Sequence, residues 1–154
     1  MPGDFPTHFG KLYRNLHSLE FLMRLRIYRH ENRNESDREA KEGRDMNALS
    51  EAKVGDVIDQ NWLSKSAHFS EVLKAYNEAF PDELLDRKKL CDIRNALSHA
   101  KFLFNNPELP GIGINTVMLD GELTVTFREE LNETWYDQQI QYVAGIMREV
   151  KEKL

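Results

Sequence analysis

Arg94-Asn95-Ala96-Leu97-Ser98-His99 places a permanent cation, an amide and an imidazole within two turns of a stretch that reads as one helix. Together these groups can grip and cleave a phosphodiester. A guanidinium holds two phosphate oxygens and stabilises charge as it develops on a phosphorane. An imidazole moves protons under near-neutral conditions. The 2′-hydroxyl of RNA is an internal nucleophile, so this chemistry calls for proton transfer and charge stabilisation rather than a metal-bound water. The surrounding pattern predicts where the groups point. Leu90, Ile93, Leu97, Ala100 and Phe104 recur at three- and four-residue steps, the inward stripe of an amphipathic helix. At about 100° per residue, Asn95 and His99 fall opposite that stripe, one above the other, with Arg94 on the flank. Asp92, one heptad before His99, shares nearly the same face; it is placed to orient the imidazole, but the reading preferred is an exposed ion pair with Lys88. Cys91 and Phe102 bracket the polar pair, so the helix is apolar on two sides. That predicts either a partner pressed on the outer face or a solvated face whose Phe102 marks the helix end.

The segment Asp92-Ile93-Arg94-Asn95-Ala96-Leu97-Ser98-His99-Ala100-Lys101-Phe102 resembles the signature helix of HEPN domains, the higher-eukaryote and prokaryote nucleotide-binding helical domains. Their motif is Arg, four to six residues, then His, commonly with Asn directly after the Arg. The resemblance implies a homodimer in which two motif helices form one composite, metal-independent ribonuclease site. It makes Arg94 and His99 catalytic and Asn95 supportive, and it extends by analogy to toxin or phage-defence biology, with an antitoxin or inhibitor protein as a further partner. Arg24 and His30 fit the bare spacing as well, and the Asn singles out the later copy. One branch of the family, paired with nucleotidyltransferase antitoxins, carries Tyr two residues after the His. Lys101 stands there, so that branch's modification chemistry is not expected. The match covers about a dozen residues.

The remaining elements must hold that helix. With 154 residues the chain suffices for one good core, so a single domain over 1–154 is expected. Hydrophobic residues at 40% and charged residues at 31% are ordinary for a soluble domain. No apolar run approaches the roughly 18 residues of a membrane span, and no signal-like leader is evident. One cysteine rules out an internal disulfide and fits a cytoplasmic setting. A net charge of −5 argues against indiscriminate coating of nucleic acid, yet residues 11–33 carry a local +4. Lys101, with Arg24 and Arg26 from that strip, is the candidate RNA contact, against the commoner reading of a solvated helix face.

Thr7 is a candidate cap for a first helix with the stripe Phe9, Leu12, Leu16, Leu19, Met23 and Ile27. Residues 31–47 are charged, carry no core stripe and read as a loop, with at most a short helix from Ser36 to a stop at Gly43. Val54, Val57, Ile58 and Trp62 suggest a short helix or bent segment. A further helix presents Phe69, Val72, Leu73, Tyr76 and Phe80 until Pro81 stops it. The motif helix is expected over 83–104. Asp120-Gly121 between alternating runs predicts a β-hairpin over 114–127, which must pack on the helices to be stable. A last helix carries Tyr136, Ile140, Val143, Met147, Val150 and Leu154. The expected class is all-α: a bundle of four main helices with a short β-hairpin insertion before the last one.

Other chemistries are absent from the local patterns. There is no Glu-x-x-His pair, His30-Glu31 is followed by Asn34 rather than a second histidine, and Gly111-Ile112-Gly113 lacks a third glycine. His8, His17 and His68 are scattered and read as structural. No cofactor or metal is expected. The function expected is therefore metal-independent endoribonuclease action on RNA. The alternative is a non-catalytic helical module that engages a protein or nucleotide through the same face.

Overall fold

A computed structural model of the protein describes residues 5–99 and 111–154. Among the described residues it is mostly helical, with one two-stranded antiparallel hairpin before the last helix. The elements are α1 (Phe5–Glu31), α2 (Arg38–Glu51), α3 (Phe69–Ala79), α4 (Arg87–His99), β1 (Gly111–Leu119), β2 (Glu122–Leu131) and α5 (Glu133–Glu152). The chain divides into two compact units, Met1–Leu19 with Asp86–Arg148, and Glu20–Leu85 with Glu149–Leu154. No helix among the described residues is long and apolar enough to cross a membrane.

The first unit buries Leu12, Leu16 and Leu19 of α1, Leu90, Ile93, Ala96 and Leu97 of α4, and Trp135, Tyr136, Ile140, Val143 and Ile146 of α5. Each large apolar side chain so placed contributes roughly 1.5–3 kcal/mol, which is why the periodic stripes dictate these helices. α1 begins ahead of Thr7, so Thr7 is not its cap. Two other caps are well defined. Asp86 Oδ1 accepts from the Lys89 N–H at 3.0 Å and starts α4 at Arg87 rather than at 83. Asn132 Oδ1 accepts from the Trp135 N–H at 2.9 Å and starts α5.

The hairpin is longer than the expected 114–127. Its register runs from Gly111 opposite Leu131 to Leu119 opposite Glu122, with an irregularity between Asn115 and Thr116. Asp120 (φ 50°) and Gly121 (φ 80°) both take left-handed backbone, as a primed two-residue turn requires. β1 packs on α4 at a glycine. A Cβ on Gly113 would lie 2.9 Å from the Ala96 Cβ and 3.2 Å from Leu131 Cδ2. Ala96 therefore belongs to the buried face of α4, although the apolar stripe read from the sequence omits it. Small residues meet here so that strand and helix can approach closely.

The second unit corrects the reading of 31–47 as a loop. Residues 38–51 form α2, and Gly43 lies inside it rather than ending it. None of its residues is buried, which explains the missing stripe. Polar contacts to α1 and to Asn32 just after it hold it instead. Arg29 Nε reaches Glu42 at 2.7 Å, the Tyr28 hydroxyl donates to Asp45 at 2.5 Å, and Lys41 Nζ donates to Asn32 Oδ1 at 2.7 Å. Helix-favouring Ala, Glu, Arg, Lys, Met and Leu outweigh the ~1 kcal/mol cost of an interior glycine. Residues 52–68 are irregular, and Val54 and Val57 are fully exposed rather than part of a helix. α3 follows its stripe: Phe69, Val72, Leu73 and Tyr76 are buried, and Phe80 caps its end before Pro81.

Candidate functional site

α4 presents the motif as its periodicity dictates. Leu90, Ile93, Ala96 and Leu97 are buried, Asn95 is half-buried, and Arg94 and His99 are exposed. The same helix thus carries an apolar face that anchors it, an amide and an imidazole away from that face, and an exposed cation on the flank. Ser98 donates its hydroxyl to the Arg94 carbonyl at 3.2 Å within the helix. Lys101 and Phe102, the other residues expected at the site, and Ala100 and Phe104 of the stripe lie outside the described residues.

Two neighbours on this face have defined partners. Lys88 Nζ lies 2.7 Å from Asp92 Oδ2, the ion pair expected from their spacing. That hydrogen bond to Asp92 raises the Lys88 ammonium pKa above its ordinary value. The second Asp92 oxygen accepts from Asn115 Nδ2 of β1 at 3.3 Å. Asp92 therefore ties the hairpin to α4. Cys91 is half-buried, and that burial pushes its thiol up, against a reactive thiolate.

Arg24 and Arg26 belong to the other unit, where their donors are committed to part-buried contacts within it. Arg24 donates to the carbonyls of Trp62 (3.1 Å), Lys65 (2.7 Å) and Ala67 (3.1 Å), and its Nε lies 3.5 Å from Glu20. Only 11% of its side chain is exposed. Arg26 contacts the Tyr76 hydroxyl, lies 2.6 Å from Glu83 Oε2 and stacks 3.7 Å above the Phe80 ring. His30, the partner of Arg24 in the bare motif spacing, packs its ring edge-on against Phe80 at 5.1 Å. This earlier Arg–His pair builds the unit in which it sits.

The structure also brings together residues that no local pattern connects. His8 of α1 meets Glu133 and Asp137 of α5, with His8 Nε2 3.2 Å from Asp137 Oδ1. The i, i+4 spacing of the two acids was legible in the sequence. Their meeting with His8 depends on which turns of α1 and α5 pack. No family model, curated protein or solved structure matches this chain.

Proposed function

We propose that this protein is a HEPN-type, metal-independent endoribonuclease that works as a homodimer of four-main-helix bundles, with α4 of each copy supplying Arg94, Asn95 and His99 to one shared cleft. The observation that carries the reading is the polarity of α4: Leu90, Ile93, Ala96 and Leu97 are buried, Asn95 and His99 lie on the other side of the helix, and Arg94 is exposed on its flank. The resemblance of residues 92–102 to the HEPN signature supplies the chemistry. In this scheme one imidazole takes the proton of the RNA 2′-hydroxyl as the 2′-oxygen attacks phosphorus. The bond from phosphorus to the 5′-oxygen breaks, and the second imidazole of the dimer protonates that leaving oxygen. Arg94 stabilises the charge on the phosphorane, and Asn95 orients the phosphate. Lys101 is the proposed RNA contact beside the motif. The natural setting that fits such an enzyme is toxin or phage-defence biology in the cytoplasm, with an antitoxin or inhibitor protein restraining it.

The test is cleavage of mixed cellular RNA by purified protein in EDTA. Products should end in 2′,3′-cyclic phosphate and 5′-hydroxyl, and a 2′-deoxy substitution at the cut should block them. Light scattering should show a dimer at tens of micromolar. Ends bearing 3′-hydroxyl, activity that needs Mg²⁺, or a monomer would each overturn this mechanism. RNA or nucleotide binding without cleavage would favour the binding module instead.

A further inference from the structure

We propose that His8, Glu133 and Asp137 form a site for one first-row divalent cation, zinc foremost, which staples the first turn of α1 to the first two turns of α5. Each residue offers one ligand atom, and the three atoms lie within 4.8 Å of one another. Donors around a tetrahedral zinc with bonds near 2.1 Å stand about 3.4 Å apart. His8 Nε2 and Asp137 Oδ1, at 3.2 Å, already have nearly that separation.

An ion pair alone would need one carboxylate opposite His8. The structure supplies two, on one helical face at i, i+4, where like charges repel. A divalent cation relieves that repulsion and balances both charges. The imidazole selects the class of ion. Mg²⁺ and Ca²⁺ favour all-oxygen sets, whereas one nitrogen and two carboxylate oxygens suit zinc and its first-row neighbours. Burial also fits an anchored, open site. The His8 side chain is 19% exposed and stands beside Tyr136, ring centroids 6.4 Å apart, while Asp137 is 54% exposed and faces solvent. Three protein ligands on such a rim leave a coordination position for water. None of the motif residues of α4 belongs to this site, which is independent of any ribonuclease activity.

The experiment uses untagged, metal-stripped full-length protein, titrated with ZnCl₂ by calorimetry and followed by thermal melts. One zinc should bind per chain at this site and raise the melting midpoint by roughly 3 °C or more at saturation. Glu133→Gln and Asp137→Asn should each weaken zinc binding at least tenfold and abolish the thermal shift, with the circular dichroism of the zinc-free protein unchanged. These exposed carboxylates carry the test because His8→Ala removes a largely buried ring and can perturb folding by itself. Cys91→Ser and His99→Ala should keep the full zinc response. A wild-type midpoint indifferent to zinc, a shift that survives both carboxylate variants, or an equal shift with MgCl₂ would overturn the proposal.

Discussion

The second half of α1 and the second half of α4 each carry an arginine followed within six residues by a histidine, and the two pairs occupy different surroundings. Arg24 donates to three carbonyls of the 62–67 segment, and the His30 ring packs on Phe80. Arg94 and His99 stand exposed on α4, His99 on the side away from the buried residues and Arg94 on the flank. The same residue types at similar spacing are construction material in one place and an accessible constellation in the other. What separates them is burial. A guanidinium surrounded by carbonyls satisfies groups that would otherwise lose water without compensation.

The largest effect expected from this contrast is on activity. His99→Ala and Arg94→Ala should each lower RNA cleavage at least ~100-fold while shifting stability by less than about 0.5 kcal/mol. Unfolding of both variants would show that α4 uses these residues as α1 uses Arg24. The converse experiment is urea denaturation of Arg24→Met. It should cost about 2–4 kcal/mol, because three carbonyls lose their donor together. Arg26→Met should follow closely, since it breaks the Glu83 contact and the stacking on Phe80. A change as small as that of Arg94→Ala would erase the distinction between the two regions.

A smaller effect tests how α4 is held. Gly113→Ala forces a Cβ to within 2.9 Å of Ala96. Overpacking of this kind costs about 1–3 kcal/mol. The double variant with Ala96→Gly should recover part of the loss, which a double-mutant cycle would detect.

The smallest expected effect is pH-dependent. The Arg26 guanidinium, and then the Lys153 ammonium, hold the Glu83 carboxyl below the usual carboxylate range. A carboxyl depressed in the folded state stabilises it above the unfolded pKa, and that contribution disappears as pH falls through the folded value. Glu83→Gln should therefore lose less of its urea midpoint between pH 7 and pH 3 than the wild type does. Parallel acid limbs would mean that Glu83 has no share in acid unfolding.

Neighbouring residues alone determined much of this protein. The three- and four-residue steps of Leu12, Leu16 and Leu19, of Val72, Leu73 and Tyr76, and of Leu90, Ile93 and Leu97 specified helices and their buried faces. Asp120-Gly121 specified a turn, because few residue pairs accept two consecutive left-handed conformations. The outward direction of Arg94, Asn95 and His99 followed from the same helical geometry. The rest depended on which faces meet. α2 reads as a loop because its helix is held by an ion pair and hydrogen bonds rather than by buried apolar side chains, and such contacts leave no period in the sequence. Arg24 and Arg26 looked like a basic strip because the carbonyls of 62–67, and Tyr76, Phe80 and Glu83, are far away along the chain. The close fit of Gly113 on Ala96 and the meeting of His8 with Glu133 and Asp137 are likewise tertiary facts. Periodicity reports how one segment repeats against itself, whereas hydrogen bonds, ion pairs and ligand sets between distant residues exist only once packing brings them within a few ångströms.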